Sequence, residues 1–340
     1  WVCVDAAGAP VAAPGGSLSF AWVPNLELSR TNNDLTAHLK LVKAVVNDNG
    51  GTAATTDWTL TATGPTAPFT GVTGTSDVDK DVNAGSYALS ESGPADYVGT
   101  WSCVDIAGSP VTITNGSVDL ALGANVVCTI TNNDQTAHLT LVKTVINDNG
   151  GTAAATAWTL TATGPTPLTG VTGTPDVDQD VNAGTYTLTE TGGPAGYTAS
   201  TWVCLDATGA PVTVTNSALT LALAQHVTCT ITNDDEPAAL TLNKAVTNDD
   251  GGNAVPEDFE LAAVNGETTV SGWGTATDLS VPAGTYTLSE SGGPAGYGAG
   301  EWSCTIVDAT QAQTTSVGAS VTVPNGGSAT CSIVNDDKAV

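Results

Sequence analysis

The sequence copies itself at an interval of about one hundred residues, which restricts the chain to an array of like domains that each close their own core. HLKLVKAVVNDNGG beginning at His38 returns as HLTLVKTVINDNGG at His138 and as LTLNKAVTNDDGG at Leu240. GSYALSESGPADY at Gly85 matches GTYTLTETGGPAGY at Gly184 and GTYTLSESGGPAGY at Gly284. Each copy then passes a Trp-x-Cys segment (Trp101, Trp202, Trp302) and closes on CTITNND at Cys128, CTITNDD at Cys229 or CSIVNDD at Cys331. Repeats are therefore expected at 35–135, 136–236 and 237–340. Residues 1–34 match only the last third of a copy, with Trp1 and Cys3 aligned on Trp101 and Cys103. The chain is thus expected to enter inside a domain whose other strands come from upstream sequence or another chain.

Within a copy the signal is β throughout. Thr, Val, Leu, Tyr and Trp alternate with polar residues, and Gly, Pro, Asn and Asp clusters interrupt them. WTLTATGP at Trp58, YALSES at Tyr87 and VVCTIT at Val126 have a period of two; no stretch of useful length has the helical period. Short strands in a unit of this size predict an all-β fold, a tandem array of Ig-like β-sandwich domains. NDNGG at Asn47 reads as a tight hairpin loop with left-handed glycines. Only six residues separate Asn132 from Leu139, a joint that favours a rod over freely tumbling domains.

Composition narrows the function. Thirty-four acidic residues face six Lys and Arg30, a net charge of −27. No basic patch for nucleic acid or an anionic membrane can be assembled from so few cations. The hydrophobic content of 41% exceeds that of a disordered acidic tail, and no apolar run is long enough to span a membrane. Three His and seven basic residues leave little for acid–base work or anion binding, so no enzyme is expected. Lacking an initiator Met or signal peptide, the sequence reads as a mature piece or internal fragment.

Cys103 and Cys128, Cys204 and Cys229, and Cys304 and Cys331 give one pair per repeat, one member beside the Trp and one in the closing strand. Zinc would want CxxC clusters or nearby His, and neither occurs. The pairs read as disulfides, with buried free thiols as the alternative; closing such a loop stabilises by roughly 3–4 kcal/mol. Disulfides would set the chain in an oxidising, extracellular compartment. Leu28 stands where a partner for Cys3 would be, so Cys3 is expected free or bonded outside the chain.

The rare residues are the informative ones. From Leu35 to Asp235 there are only two Glu, Glu91 and Glu190, at one repeat position, and Lys43, Lys143 and Lys244 share another. Alternation puts Leu39, Leu41 and Lys43 on one face, Tyr87, Leu89 and Glu91 on one face, and Cys128, Ile130 and Asn132 on one face. Lys, Glu and Asn thus each lie on the inward side of a different strand. One reading is a buried Lys–Glu salt bridge capped by the Asn amide, at a desolvation cost of several kcal/mol. The other uses that cost. A low-dielectric core disfavours both charged forms, so a neutral amine and a neutral carboxylic acid can coexist. The amine can then attack the Asn carbonyl while the acid polarises it and passes protons to the departing ammonia.

LKLVK with NDNGG, then GTYTLTETGGPAGY, then ITND, resembles the collagen-adhesin B-type (Cna-B-like, prealbumin-like) repeats of Gram-positive surface proteins and pilins. The resemblance covers 35–340 almost completely and implies prealbumin-like sandwiches, each locked by an isopeptide bond. Carried over by position, it implies bonds Lys43–Asn132, Lys143–Asn233 and Lys244–Asn335, assisted by Glu91, Glu190 and Glu290. Asn32 falls in register with Asn132, but no Lys strand precedes it and Arg30 replaces the inward Ile. The disulfides are not part of the family pattern.

Weaker signals have plainer readings. Asp77, Asp79 and Asp81, and Asp176, Asp178 and Asp180, have the alternation of a calcium loop, as the NDNGG segments do in part. The third repeat keeps only Asp278 and no bidentate Glu follows, so a solvated strand face is the plainer reading and no metal or cofactor is assigned. His38 and His138 read as linker residues and His226 as lying beside a closing strand, too dispersed for a triad. Trp22 and Trp273 are candidate glycan or subunit contacts, or packing edges. Near-identity of repeats one and two favours an extracellular stalk or fibre segment whose partners are neighbouring copies or further repeats. Adhesin repeats binding a matrix protein or glycan are the alternative, with PEDFELAAVNGETTVSGWG marking repeat three as the divergent copy. An accessory module of a secreted hydrolase is a third.

Overall fold

The computed structural model describes residues 33–266 and 268–339, together with the backbone of 2–4, 9–11 and 28–29. The expectations for the Cys3 thiol, Trp22, Arg30, Asn32 and the part-domain 1–34 lie outside the described residues; the backbone pairing does set Cys3 opposite Leu28. Among the described residues the regular elements are strands and short 3₁₀ turns, and no helix is long and apolar enough to cross a membrane. The chain packs as two compact units, Trp1–Asn47 with Thr52–Asn133, and Asp48–Gly51 with Asp134–Val340.

Each repeat is a sandwich of two sheets. In repeat one the first sheet runs, edge to edge, Pro110–Val111, Tyr97–Asp105, Asn125–Asp134, Ala37–Val46, Asp79–Val82. The second runs Ile113–Thr114, Ser117–Leu120, Gly85–Ser92, Thr59–Thr63, Phe69–Gly71. Alternation along these strands buries Leu39, Leu41, Leu60, Tyr87, Val118, Cys128 and Ile130 between the sheets. Repeats two and three keep the plan. Repeat three replaces the Thr-Gly-Pro stretch with two longer strands, Thr268–Trp273 and Thr275–Val281, the second meeting Ala238–Thr247 through a register shift between Ala238 and Leu240.

The first and closing strands are neighbours and run parallel, with Lys43 opposite Ile130 and Val45 opposite Asn132. Ten residues of parallel strand, at about 3.3 Å each, separate the end where a repeat is entered from the end where it is left. The connection to the next repeat is shorter than the spacing suggested. Only Gln135 and Thr136 lie between the strands Asn125–Asp134 and Ala137–Ile146, and only Glu236 and Pro237 at the following junction.

The structure corrects two local readings. NDNGG is not a hairpin: the chain leaves the first strand in one sheet and re-emerges at Thr59 in the other, and of its glycines Gly50 alone has the left-handed φ, +95°. His38 and His138 lie within first strands, not in linkers. There each grips the adjacent edge strand: His38 Nε2 meets Asp79 at 2.7 Å and its Nδ1 meets Asp81 at 2.9 Å; His138 meets Asp178 and Asp180, both at 2.9 Å. Alternating Asp thus serves His, with Lys40 on Asp79 and Thr140 on Asp178. On the other side His138 stacks on His226, centroids 5.4 Å apart.

The Asp180 hydrogen bond, offset in part by burial and reinforced by Asp178, raises the His138 pKa above its ordinary value; Asp81 leads in the same way at His38. A raised folded pKa means the grip is fully present below about pH 6.5 and is lost as pH rises through the folded value. Since the partners are largely solvated, the loss is about 0.5 kcal/mol per repeat. Urea unfolding of the wild-type chain followed between about pH 6 and 8 should show this loss in repeats one and two; His138→Gln should flatten it in repeat two, and repeat three, with Ala239 at that position, should lack it.

Candidate crosslinking site

The strand order brings the three rare residues together. Lys43 and Asn132 come from adjacent parallel strands of one sheet, two rungs apart, and Glu91 reaches them from the facing sheet. Glu91 bridges both: Oε2 lies 2.7 Å from Lys43 Nζ, and Oε1 accepts from Asn132 Nδ2 at 2.7 Å. In repeat two Glu190 lies 2.7 Å from Lys143 Nζ and 2.8 Å from Asn233 Nδ2. In repeat three Glu290 lies 2.8 Å from Lys244 Nζ and 2.5 Å from Asn335 Nδ2. All three Lys side chains are wholly buried, and the Glu side chains keep 17, 10 and 11% exposure.

The environment acts on the amine. Burial pushes Lys43, Lys143 and Lys244 below the ordinary lysine value, against the opposing pull of the Glu carboxylates. In repeats two and three the short Nζ–Oε2 approach has poor hydrogen-bond angles, so it acts as an ion-pair contact without an aligned acceptor. The Asn carbonyl oxygens Oδ1 of Asn132, Asn233 and Asn335 are buried and have no hydrogen-bond donor. Amide oxygen and nitrogen exchange places by a half-turn of the side-chain carboxamide. That turn would set the carbonyl oxygen, in place of the amide nitrogen, on the Glu carboxyl group.

An aromatic ring completes each site. Lys43 Nζ lies 4.1 Å from the Trp58 ring centroid, Lys143 4.9 Å from Trp158, and Lys244 4.7 Å from Phe259. Tyr97, Tyr197 and Tyr297 pack edge-on against these rings. The sequence reading missed the rings, although an aromatic follows each Lys at one spacing, 43 to 58, 143 to 158 and 244 to 259. The disulfides Cys103–Cys128, Cys204–Cys229 and Cys304–Cys331 lie across the other flank of each closing strand.

A second missed group is the Asp ending each closing strand. Asp235 is buried and accepts from the backbone N–H groups of Asp148, Asn149 and Gly151, so it clasps the loop that follows the first strand. Asp134 holds Asp48–Gly51 and Asp337 holds Asp249–Gly252 in the same way. Tyr197 helps fix the loop's base, accepting from Ala153 N–H and donating to Asn147 Oδ1. Carboxylates do gather here: Asp148, Asp234 and Asp235 place oxygens within 4.8 Å of one another, as do Asp249, Asp250 and Asp337. In both groups the buried Asp already spends its oxygens on backbone donors.

Burial alone would raise the Asp235 carboxyl; the N–H groups of Gly151, Asn149 and Asp148 overcome it and hold the pKa below the ordinary carboxylate range. A lowered folded pKa means the clasp is fully present above about pH 4 and is lost only as pH falls through the folded value. Asp235→Asn swaps an acceptor for a donor facing those N–H groups and should cost about 2 kcal/mol locally. Amide exchange at Gly151 should quicken by about thirtyfold, and unchanged exchange would contradict the clasp.

Comparison with known proteins follows the same lines. No curated protein matches the sequence. Solved structures similar to it include the Bacillus anthracis TIE protein (14% identity, TM-score 0.48, covering 89% of this chain and 51% of that one). The pilus adhesin SpaC of Lactobacillus rhamnosus GG is similar at 13% identity and TM-score 0.33, covering 89% of this chain and 44% of that one. The major pilin T-13 of Streptococcus pyogenes is similar at 13% identity and TM-score 0.30, covering 59% and 97%. The chain therefore spans about half the length of the first two. A model of the prealbumin-like fold domain matches residues 34–130, 134–231 and 235–333, and the chain belongs to that family, as three tandem prealbumin-like sandwiches.

Proposed function

We propose that the chain is a stalk or fibre segment of an extracellular bacterial surface structure, with repeats at 35–135, 136–236 and 237–340 locked by intramolecular bonds Lys43–Asn132, Lys143–Asn233 and Lys244–Asn335. Its family is one of structural repeats rather than enzymes. The observation that carries the reading is the part-buried Glu, within hydrogen-bonding distance of both Lys and Asn in all three repeats. A neutral Lys Nζ attacks the Asn side-chain carbonyl carbon, the Glu carboxyl polarises its oxygen and relays protons, and ammonia leaves. One C–N bond forms, one breaks, and neither cofactor nor oxidant is needed. A lowered Lys pKa and an Asn oxygen without a donor both favour the forward step.

Parallel first and closing strands support the stalk. A load entering at Ala37 and leaving at Asp134 shears that strand pair along its length, and a bond from Lys43 to Asn132 would bypass the chain between them. Three disulfides fit an oxidising, extracellular setting. One observation favours adhesion as the second reading: Trp273 is 56% exposed on the strand that distinguishes repeat three. Binding of matrix protein or glycan by the chain, lost in Trp273→Ala, would favour it over the stalk.

Intact mass after reduction of the disulfides should fall short of the sequence mass by one ammonia per repeat. Glu91→Ala should restore one, because Lys43 and Asn132 remain while polarisation is lost. A wild-type mass equal to that of the plain sequence would overturn the bonds and leave a buried polar cluster in a disulfide-stapled sandwich.

A further inference from the structure

Within the second unit, the loop clasped by Asp235 also meets a turn of the following repeat. The Asn149 carbonyl accepts Ala283 N–H at 2.7 Å. Gly150, at φ +89°, approaches so closely that a Cβ would fall 2.3 Å from the Ala283 carbonyl oxygen. The same two elements meet again in that unit at Asp48–Gly51. The Asn49 carbonyl accepts Ala183 N–H at 2.8 Å, Asn182 Nδ2 donates to the Asp48 carbonyl at 3.2 Å, and a Cβ on Gly50 would fall 2.4 Å from the Ala183 oxygen. Both contacts rest on backbone groups and a glycine, so they depend on two short motifs: Asp-Asn-Gly in the loop and Val-x-Ala-Gly in the turn.

The turn motif occurs once more, and the loop motif once more with Asp250 in place of the Asn. Asp337 holds Asp249–Gly252 in the form of the other loops, with Gly251 at φ +95° as Gly50 is; Asp250 is exposed, and a Cβ on Gly251 would meet nothing within 4 Å. The turn Val82-Asn83-Ala84-Gly85 has the same four residues as Val181–Gly184, the glycines at φ +138° and +143°, and its Asn83 is exposed. We propose that the loop Asp249–Gly252 is a docking surface for the Val82–Gly85 turn of a second copy of this chain. Ala84 N–H would donate to the Asp250 carbonyl, as at both joints already formed, and the Asn83 carboxamide to the Asp249 carbonyl, as Asn182 does to Asp48. Loop and turn are different surfaces, so the contact is heterologous and adds copies in one direction. This deepens the stalk reading but rests on none of its Lys–Asn bonds.

Charge sets the conditions. The loop carries Asp249 and Asp250, with Asp336 of the closing strand close to both, and Asp81 stands beside the turn, so like charges face each other. Asp250 occupies the position of Asn49 and Asn149 and adds one negative charge that the formed joints lack. The contact therefore strengthens with salt, as the Debye length falls from about 30 Å at 0.01 M to about 8 Å at 0.15 M.

The test is a titration of isotope-labelled full chain with unlabelled chain in 0.15 M salt, followed by amide chemical shifts. Saturating shifts are expected at Ala84, Gly85 and Gly251. Asp250→Asn should tighten association about threefold by removing the extra charge. Asn83→Asp, at an exposed position, should weaken it about fivefold by removing a donor and adding repulsion. Unchanged thermal unfolding of both variants would show that they fold. No shift at these amides up to about millimolar concentration, shifts confined elsewhere, or equal affinity for all three chains would overturn the proposal. Intact mass of the same samples reports the Lys–Asn bonds separately, so failure of docking and failure of the lock are distinguishable.

Discussion

The parallel pairing of first and closing strands governs most of what each repeat can do. A parallel neighbour cannot be reached by a tight turn, so the whole of the remaining fold lies between the two strands. That intervening chain supplies the facing sheet, and the facing sheet supplies the Glu. Lys43 and Asn132 are therefore nearly ninety residues apart in sequence, yet neighbours in space, with Glu91 above them from Gly85–Ser92. The triad follows from the topology as much as from the residues.

The pairing also links the polar core to the end of the domain. Asn233 faces inward toward Glu190, and two residues later Asp235, on the same side of the strand, leaves the core and takes the N–H groups of Asp148, Asn149 and Gly151. Within five residues the strand passes from apolar packing at Ile231 to the Glu-bound Asn233 and then to a loop clasp at Asp235. The loop so held is the one that touches Ala283. Core, exit strand and joint are thus mechanically continuous in the second repeat.

Much of this was legible in the sequence where side-chain alternation and repetition carried it. Period-two strands placed Lys43, Glu91 and Asn132 inward, and recurrence of each at one repeat position separated them from surface charge. The paired Cys followed from the same register. What was not legible depends on which strands are neighbours. NDNGG looks like a hairpin because Asn-Gly pairs favour such turns locally, but here the chain must cross from one sheet to the other. His38 looked isolated because Asp79 and Asp81 are some forty residues away, and only the edge-strand pairing brings them to it. Asp134 carried no signal in the sequence; its burial is decided by the loop that folds over it.

The energetics favour reading the triad as reactants. Three buried Lys side chains paired with part-buried Glu, each beside an Asn oxygen without a donor, are a poor way to stabilise sandwiches that already have disulfides and aliphatic cores. An apolar cluster of similar volume would hold the sheets as well without the cost of desolvating charge. Conversion to an amide would remove that cost, because the buried ammonium would be replaced by a neutral linkage. The aromatic ring over each Lys fits the proposed reaction, since its face attracts a cation and would pack equally against an amide. The same burial that makes the unreacted pair expensive lowers the Lys pKa toward the free amine, so the cost of the starting arrangement and the reactivity proposed for it would have one cause.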